Sequence, residues 1–165
     1  MILDADMTVA PEELPRFFAP LNQGMCQFVN GTRLVYPMEN RSMRFMNHLG
    51  NKVFCLIMSF ILNQTITDTL CGTKAFYKED LKFMSFGYDK WGDFDLLFSA
   101  AKLGNRILEV PVHYKQRKFG ESKMRAFQHG IHLLKACWWG FRDLIFKPGV
   151  REQALTLKEK NNSGR

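Results

Sequence analysis

Four short β-rich runs alternate with segments of helical period, and that alternation constrains the fold of this chain more than any other feature. Met1-Ile2-Leu3 reads as the end of a buried strand. Residues 27–30 (QFVN) form a second strand, closed by Gly31-Thr32-Arg33, and residues 74–77 a third. The fourth, residues 106–114 (RILEVPVHY), carries Pro111 and so belongs at a sheet edge or a bulge. Between the runs, Pro11, Glu12 and Glu13 suit a helix start, and Leu14, Phe17, Phe18 and Leu21 follow at helical spacing. Pro20 is expected to end or kink that helix. Residues 40–61 place Met46, Leu49, Val53, Leu56, Ile57 and Phe60 on one helix face. A short helix is expected over 78–84. Asp93 then suits an N-cap, with Leu96, Leu97, Ala100 and Leu103 buried and Gly104 as the stop. A long amphipathic helix follows over 122–146, with Met124, Phe127, Ile131, Leu134, Trp138, Phe141 and Ile145 near helical spacing. Strands alternating with helices make the class α/β.

The chain has 165 residues, enough for one domain. The folded part is expected over 1–148, and 149–165 read as a polar, disordered tail. Fifteen Phe suggest a Phe-rich core, with an apolar face beyond the core as the alternative. The net charge of +7 favours polyanionic partners: nucleic acids, anionic lipid surfaces or phosphorylated substrates. Cys26, Cys55, Cys71 and Cys137 are scattered without a CxxC pair, and read as reduced, buried residues of a cytoplasmic protein. The longest apolar run, residues 53–62 (VFCLIMSFIL), is about half of the roughly 20 residues a bilayer span needs. It belongs to a core helix or an interfacial one.

Several short constellations carry chemistry. Asp4 and Asp6, at i and i+2 just past a strand, share a face and suit one hard divalent cation with open positions for phosphate oxygens. A solvated turn is the alternative. Arg33 after a tight turn suits a phosphate clamp, or is a surface Arg. Thr67-Asp68-Thr69 with Cys71-Gly72-Thr73-Lys74 forms a polar loop between a helix and a strand, a common place for function or a plain connector. Asp93 and Asp95 at a helix start suit a base, a ligand or simple capping. The loop from Arg117 to Lys123 (RKFGESK) is basic and Gly-containing, and its amides and cations suit a phosphate. Trp138-Trp139 with basic neighbours suits a membrane interface or core packing.

The order of these elements is more specific than any one of them. DAD, PEEL, GTR, a long helix, TDTLCGTKAF, GDFDLLFSAAKLGNRILEVPVHY and RKFGESK, in that succession, resemble the family 2 glycosyltransferases of the GT-A fold. The branch is that of dolichyl- and polyprenyl-phosphate sugar synthases. The resemblance implies a partial, Rossmann-like GT-A domain with a long C-terminal amphipathic helix. It implies transfer of a sugar from a GDP- or UDP-linked donor to a lipid phosphate, with Mg²⁺ or Mn²⁺ as cofactor. Asp6 would be the main metal ligand, with Asp4 supporting the metal or meeting the nucleotide. Arg33 and Arg44, with Arg41 as the substitute, would contact phosphate. Asp68, Asp95 and Arg33 would be catalytic, and Asp95 or Asp93 would serve as base if the acceptor were a hydroxyl. Lys74 stands where many relatives carry Arg, and Arg117, Ser122 and Lys123 match an element that closes over phosphate. The first βαβ units of the family, which hold base and ribose, would precede the DxD. Without them, the chain is expected to bind nucleotide-sugar weakly. Peripheral contact at the cytoplasmic face of a membrane is expected, and the acidic DAD and GDFD sites argue against nucleic acid. The alternative is a non-catalytic fragment that associates with membrane or with a partner chain.

Overall fold

The computed structural model describes residues 1–4, 8–36, 45–115, 126–146 and 156. The tail expected over 149–165 lies outside the described residues except for residue 156. Three strands form the sheet, in the order β2-β1-β3. The central strand β1 (Phe28–Thr32) is buried along its whole length. It pairs antiparallel with β2 (Lys74–Phe76) and parallel with β3 (Ile107–Pro111). Gly31 and Thr32, expected to close the strand, belong to it. Pro111 ends an edge strand, where a missing ladder N–H costs least. Single residues extend both edges: Ile2 bridges Lys74 beyond β2, and Val9 bridges Tyr114 beyond β3. The Ile2 amide donates to the Lys74 carbonyl at 2.7 Å, and the Lys74 amide returns the bond at 3.1 Å.

Side chains of β1 alternate between two cores, as the period of two requires. Val29 packs with Phe17 and Leu21 of α1 (Leu14–Asn22), together with Cys71, Ala75, Val110 and Val112. Phe28 packs on the opposite side with α2 (Phe45–Leu62), α3 (Asp93–Lys102) and α4 (Ala126–Phe141). Pro20 does not end α1, which runs two residues further to Asn22. So close to the C-terminus, the one amide bond that Pro20 forgoes is not enough to break the helix. Every α3 residue from Phe94 to Lys102 is buried. Gly140 of α4 lets the helices meet closely, because a Cβ there would lie 2.3 Å from the Phe98 ring.

The start of α3 differs from expectation. The cap is Gly92, with a left-handed φ of 81°, and Asp93 is the first helical residue. The capping carboxylate comes from further back. Asp89 accepts the amides of Trp91 and Phe94, each at 3.2 Å. Burial pushes the Asp89 carboxyl above its usual range, only partly offset by these two amides.

The apolar faces of α2 and α4 also turn out differently. The inward side of α2 is Phe54, Met58, Ile61 and Leu62, whereas Leu49, Val53, Leu56 and Phe60 face out. On α4, Leu133, Ala136 and Cys137 are buried, and Ile131, Leu134 and Trp138 are exposed. The Phe-rich composition therefore serves both a core and an outer face. All four cysteines are free and buried.

Candidate functional site

The loop of residues 67–74, between α2 and β2, gathers most of the described candidate residues. Asp68 lies at its heart, fully buried. Arg33, the first residue after β1, donates to it from Nε at 2.6 Å, from Nη2 at 2.8 Å and from its own amide at 3.0 Å. Asn51 of α2 donates to Asp68 Oδ1 at 2.8 Å, and the Leu70 amide donates at 3.1 Å. Burial works against both charges here, but each offsets the other's cost. The Arg33 guanidinium and its hydrogen bonds hold the Asp68 carboxyl below the usual carboxylate range. Asp68 in turn raises the Arg33 pKa above its ordinary value. A planar fork on a carboxylate is the geometry that fixes a guanidinium best. The Tyr114 ring lies 5.1 Å from the Arg33 guanidinium carbon.

A second layer holds the loop itself. Asn30 and Glu109 are register partners on β1 and β3. Asn30 Nδ2 donates to the Asp68 carbonyl at 2.7 Å and to Glu109 at 3.1 Å. Glu109 accepts from the Thr67 amide at 2.9 Å, the Thr67 hydroxyl at 2.6 Å and the Asp68 amide at 3.3 Å. Burial pushes the Glu109 carboxyl up, and these donors only partly restrain it. Asn51 Oδ1 accepts the Thr69 hydroxyl at 2.9 Å. Two buried polar atoms here, Asn30 Oδ1 and Thr73 Oγ1, have no hydrogen-bond partner among the described residues.

Asp4 and Lys74 approach the same loop from the β2 side. The Asp4 carboxylate lies against the Cα of Gly72, where a Cβ would come within 2.3 and 2.4 Å of its oxygens. Gly72 is thus a cradle that only glycine leaves open. Lys74 is wholly buried, and its Nζ donates to the Cys71 carbonyl and, at 2.6 Å, to Asp93. Burial, with Asp68 nearby, pushes the Cys71 thiol up to about 11, so it stays protonated and unreactive at neutral pH.

The structure therefore brings Asp4, Arg33, Asp68 and Lys74 to one loop, and adds Asp93 through Lys74. It places Asp95 elsewhere. Asp95 is fully buried, and its oxygens accept the amides of Gly87 at 2.7 Å, Tyr88 at 3.1 Å and Asp89 at 3.2 Å. Its carboxylate secures the turn before α3 rather than facing the loop. Asp6, Arg41, Arg44, Arg117, Ser122 and Lys123 lie outside the described residues. No set of three or more metal-ligating side chains occurs among the described residues. Asp4 supplies a hard oxygen donor beside the Gly72 cradle, a donor type that suits Mg²⁺ or Mn²⁺.

Asn51 and Glu109 were not among the expected site residues. Each leaves a trace in the sequence: Asn51 is a polar residue within a helix rich in apolar side chains, and Glu109 an acid within a β-rich run. That trace marks a buried polar group needing partners but does not say which.

Residues 1–84 match Glycosyl transferase family 2. A dolichyl-phosphate hexose transferase of Haloferax volcanii is 32% identical over 133 residues, which is 81% of this chain and 57% of that protein. An undecaprenyl-phosphate mannosyltransferase of Micrococcus luteus is 28% identical over 149 residues, 84% of this chain and 58% of that protein. A polyprenol monophosphomannose synthase of Mycolicibacterium smegmatis is 28% identical over 144 residues, 85% of this chain and 54% of that protein. The chain thus spans just over half the length of these curated relatives. No solved structure matches it.

Proposed function

The chain belongs to glycosyl transferase family 2, and from that premise we propose that it serves sugar transfer from a GDP- or UDP-linked donor to a polyprenyl or dolichyl phosphate. The observation that carries this reading is the buried Arg33–Asp68 fork at the same loop as Asp4 and Lys74. The names of the three relatives, each a transferase or synthase of a lipid phosphate, supply the acceptor class.

Sugar transfer breaks a bond to a diphosphate, and negative charge grows on the leaving group. Preorganised cations stabilise that charge without reorganising. Arg33, fixed by Asp68, is such a cation, and its Nη1 edge has no protein acceptor among the described residues. Arg44, Arg117 and Lys123 add further positive charge in this reading, and Ser122 a hydrogen bond, while the buried Lys74 is paired with Asp93 and braces the loop. Asp4 and Asp6 would hold Mg²⁺ or Mn²⁺, which supplies Lewis-acid stabilisation of the diphosphate when bound. A phosphate acceptor is already anionic, so it needs little help from a base. Asp68 is accordingly a positioning residue that orients Arg33. Asp95 positions the turn that leads to Asp93, whose carboxylate meets Lys74.

A radiolabel assay tests this. The chain is supplied with GDP- and UDP-sugars, polyprenyl phosphate and Mn²⁺, and lipid-linked sugar is extracted. Product should form, and should fall by about 100-fold or more when Asp4 is replaced by Ala, from loss of metal-held charge stabilisation. Undiminished product in Asp4→Ala would refute the metal role. Failure of every donor would favour the second reading, a non-catalytic chain that associates with membrane or a partner. The large exposed apolar side chains of α2 and α4 are the observation behind that alternative.

A further inference from the structure

Glu109 breaks the apolar pattern of its own strand. It shares a face of β3 with Ile107, which packs with Phe28 in the core formed with α2, α3 and α4. A carboxylate on such a face costs free energy unless it is hydrogen-bonded, and a buried charge is ordinarily paired with a cation. The bonds of Glu109 run instead to Asn30, to the Thr67 amide and hydroxyl, and to the Asp68 amide, all of them neutral. Burial holds its carboxyl above the usual range, so the charged form is kept at a cost. A group kept at a cost calls for a reason.

The reason lies in what Glu109 holds. Its Oε1 accepts from Asn30 Nδ2 and the Asp68 amide, and its Oε2 accepts from both the amide and the hydroxyl of Thr67. Asn30 extends the brace, because the same Nδ2 donates to the Asp68 carbonyl at 2.7 Å. The backbone of Asp68 is therefore tied on both sides, its amide to Glu109 and its carbonyl to Asn30. Thr67 is tied to β1 as well, with its hydroxyl 2.9 Å from that of Thr32. Asn30 and Thr32 share a face of β1, and Arg33 follows directly. With its backbone fixed in this way, Asp68 presents its carboxylate to the Arg33 Nε, Nη2 and amide. Glu109 and Arg33 share no hydrogen bond among the described residues, so the hold of one on the other runs through Asp68.

We propose that Glu109 is a positioning residue of the site: by bracing Thr67 and Asp68 it sets the Asp68 carboxylate, and through it the direction of the Arg33 guanidinium. That the guanidinium then meets a phosphate rests on the transferase reading, and the brace does not. The brace uses both oxygens of Glu109 as acceptors twice over, which only a carboxylate supplies. Glu109→Gln keeps the size and turns one oxygen into NH₂. Facing Thr67, that group meets an amide N–H. Facing Asn30, it meets the Asn30 NH₂ and the Asp68 amide, and Asn30 cannot turn over without losing the Asp68 carbonyl. In either orientation a backbone N–H of the loop loses its acceptor.

Nuclear magnetic resonance of the Arg33 Nε–H group tests the proposal on the whole chain. The signal is identified by its loss in Arg33→Met. In Glu109→Gln it should shift, and its exchange with solvent should quicken about tenfold, as expected when one loop hydrogen bond is lost. The melting temperature should fall by less than about 5 °C, because the amide sheds a buried charge as it loses an acceptor. Thr67→Val removes the hydroxyl donor from the other side of the brace, at an exposed residue that tolerates the change. Its Arg33 signal should move in the same direction and less far. In calorimetry, Glu109→Gln should bind farnesyl phosphate about tenfold more weakly than the parent and farnesol equally well. The proposal is overturned if the Arg33 signal and its exchange match the parent in Glu109→Gln, whatever the melting temperature does. Should that variant not fold, a parent-like Arg33 signal in Thr67→Val overturns it instead. If the parent binds phosphate and alcohol alike while the Arg33 signal moves as expected, the brace stands and the transferase reading alone is refuted.

Discussion

Replacing Asp68 by Asn tests the core of the candidate site. Asp68 accepts five hydrogen bonds, three of them from Arg33, and is wholly buried. An amide at this position keeps one acceptor oxygen but turns an NH₂ group toward donors, and leaves the Arg33 charge unpaired. Breaking a buried ion pair from one side costs about 3–5 kcal/mol. A domain of this kind is stable by only about 5–15 kcal/mol, so the loss is a large fraction of the whole. At about 2–4 °C per kcal/mol for this chain length, the melting temperature should fall by roughly 10 °C. Urea unfolding supplies the free energy. Arg33→Met should cost a similar amount, because it strands the carboxylate instead. The double variant Arg33→Met/Asp68→Asn removes both charges, so its cost should be smaller than the sum of the singles by about 2 kcal/mol. A loss below about 1 kcal/mol in Asp68→Asn, or strict additivity in the cycle, would refute the buried-pair account.

Three other outcomes follow from the same geometry. The Asp68 carboxyl is held below its ordinary pKa, so its stabilisation is complete above the unfolded value of about 3.9 and is lost as pH falls through the lower folded value. Acid unfolding followed by circular dichroism should therefore be less steep in Asp68→Asn. Asn51→Ala should cost about 1–3 kcal/mol in urea, because Asp68 loses a donor and the Thr69 hydroxyl its acceptor. In Gly72→Ala the new Cβ must displace the Asp4 carboxylate, so sugar transfer should fall by about 100-fold, by analogy with ångström-scale misplacement of a reacting group.

The alternation of runs made the α/β class legible, and β1 was legible as a strand, although Gly31 and Thr32, read as its close, belong to it. The loop of residues 67–74 was legible as a polar segment with chemistry in it, and its central position was not. Its partners come from far along the chain: Asn51 is 17 residues from Asp68, and Glu109 is 41. Local pattern cannot register such contacts. Asp95 illustrates a different difficulty. A carboxylate near a helix start reads equally as a catalyst or an anchor, and only the positions of the Gly87, Tyr88 and Asp89 amides show the anchor. The apolar faces of α2 and α4 were legible as apolar stripes. Helical period cannot say which stripe meets the core when both sides of a helix are apolar, as Met58 inside and Phe60 outside show.

Recognition of a lipid phosphate at Arg33 is the claim on which the functional account turns. Titrating farnesyl phosphate against farnesol, with calorimetric readout, addresses it directly. The phosphate should bind about 10–100-fold more tightly than the alcohol, the worth of a hydrogen bond to a charged group. The Arg33→Met/Asp68→Asn variant, checked for folding by its urea transition, should bind both alike. Equal binding of phosphate and alcohol by the parent chain, or an unchanged preference for phosphate in the double variant, would contradict the account.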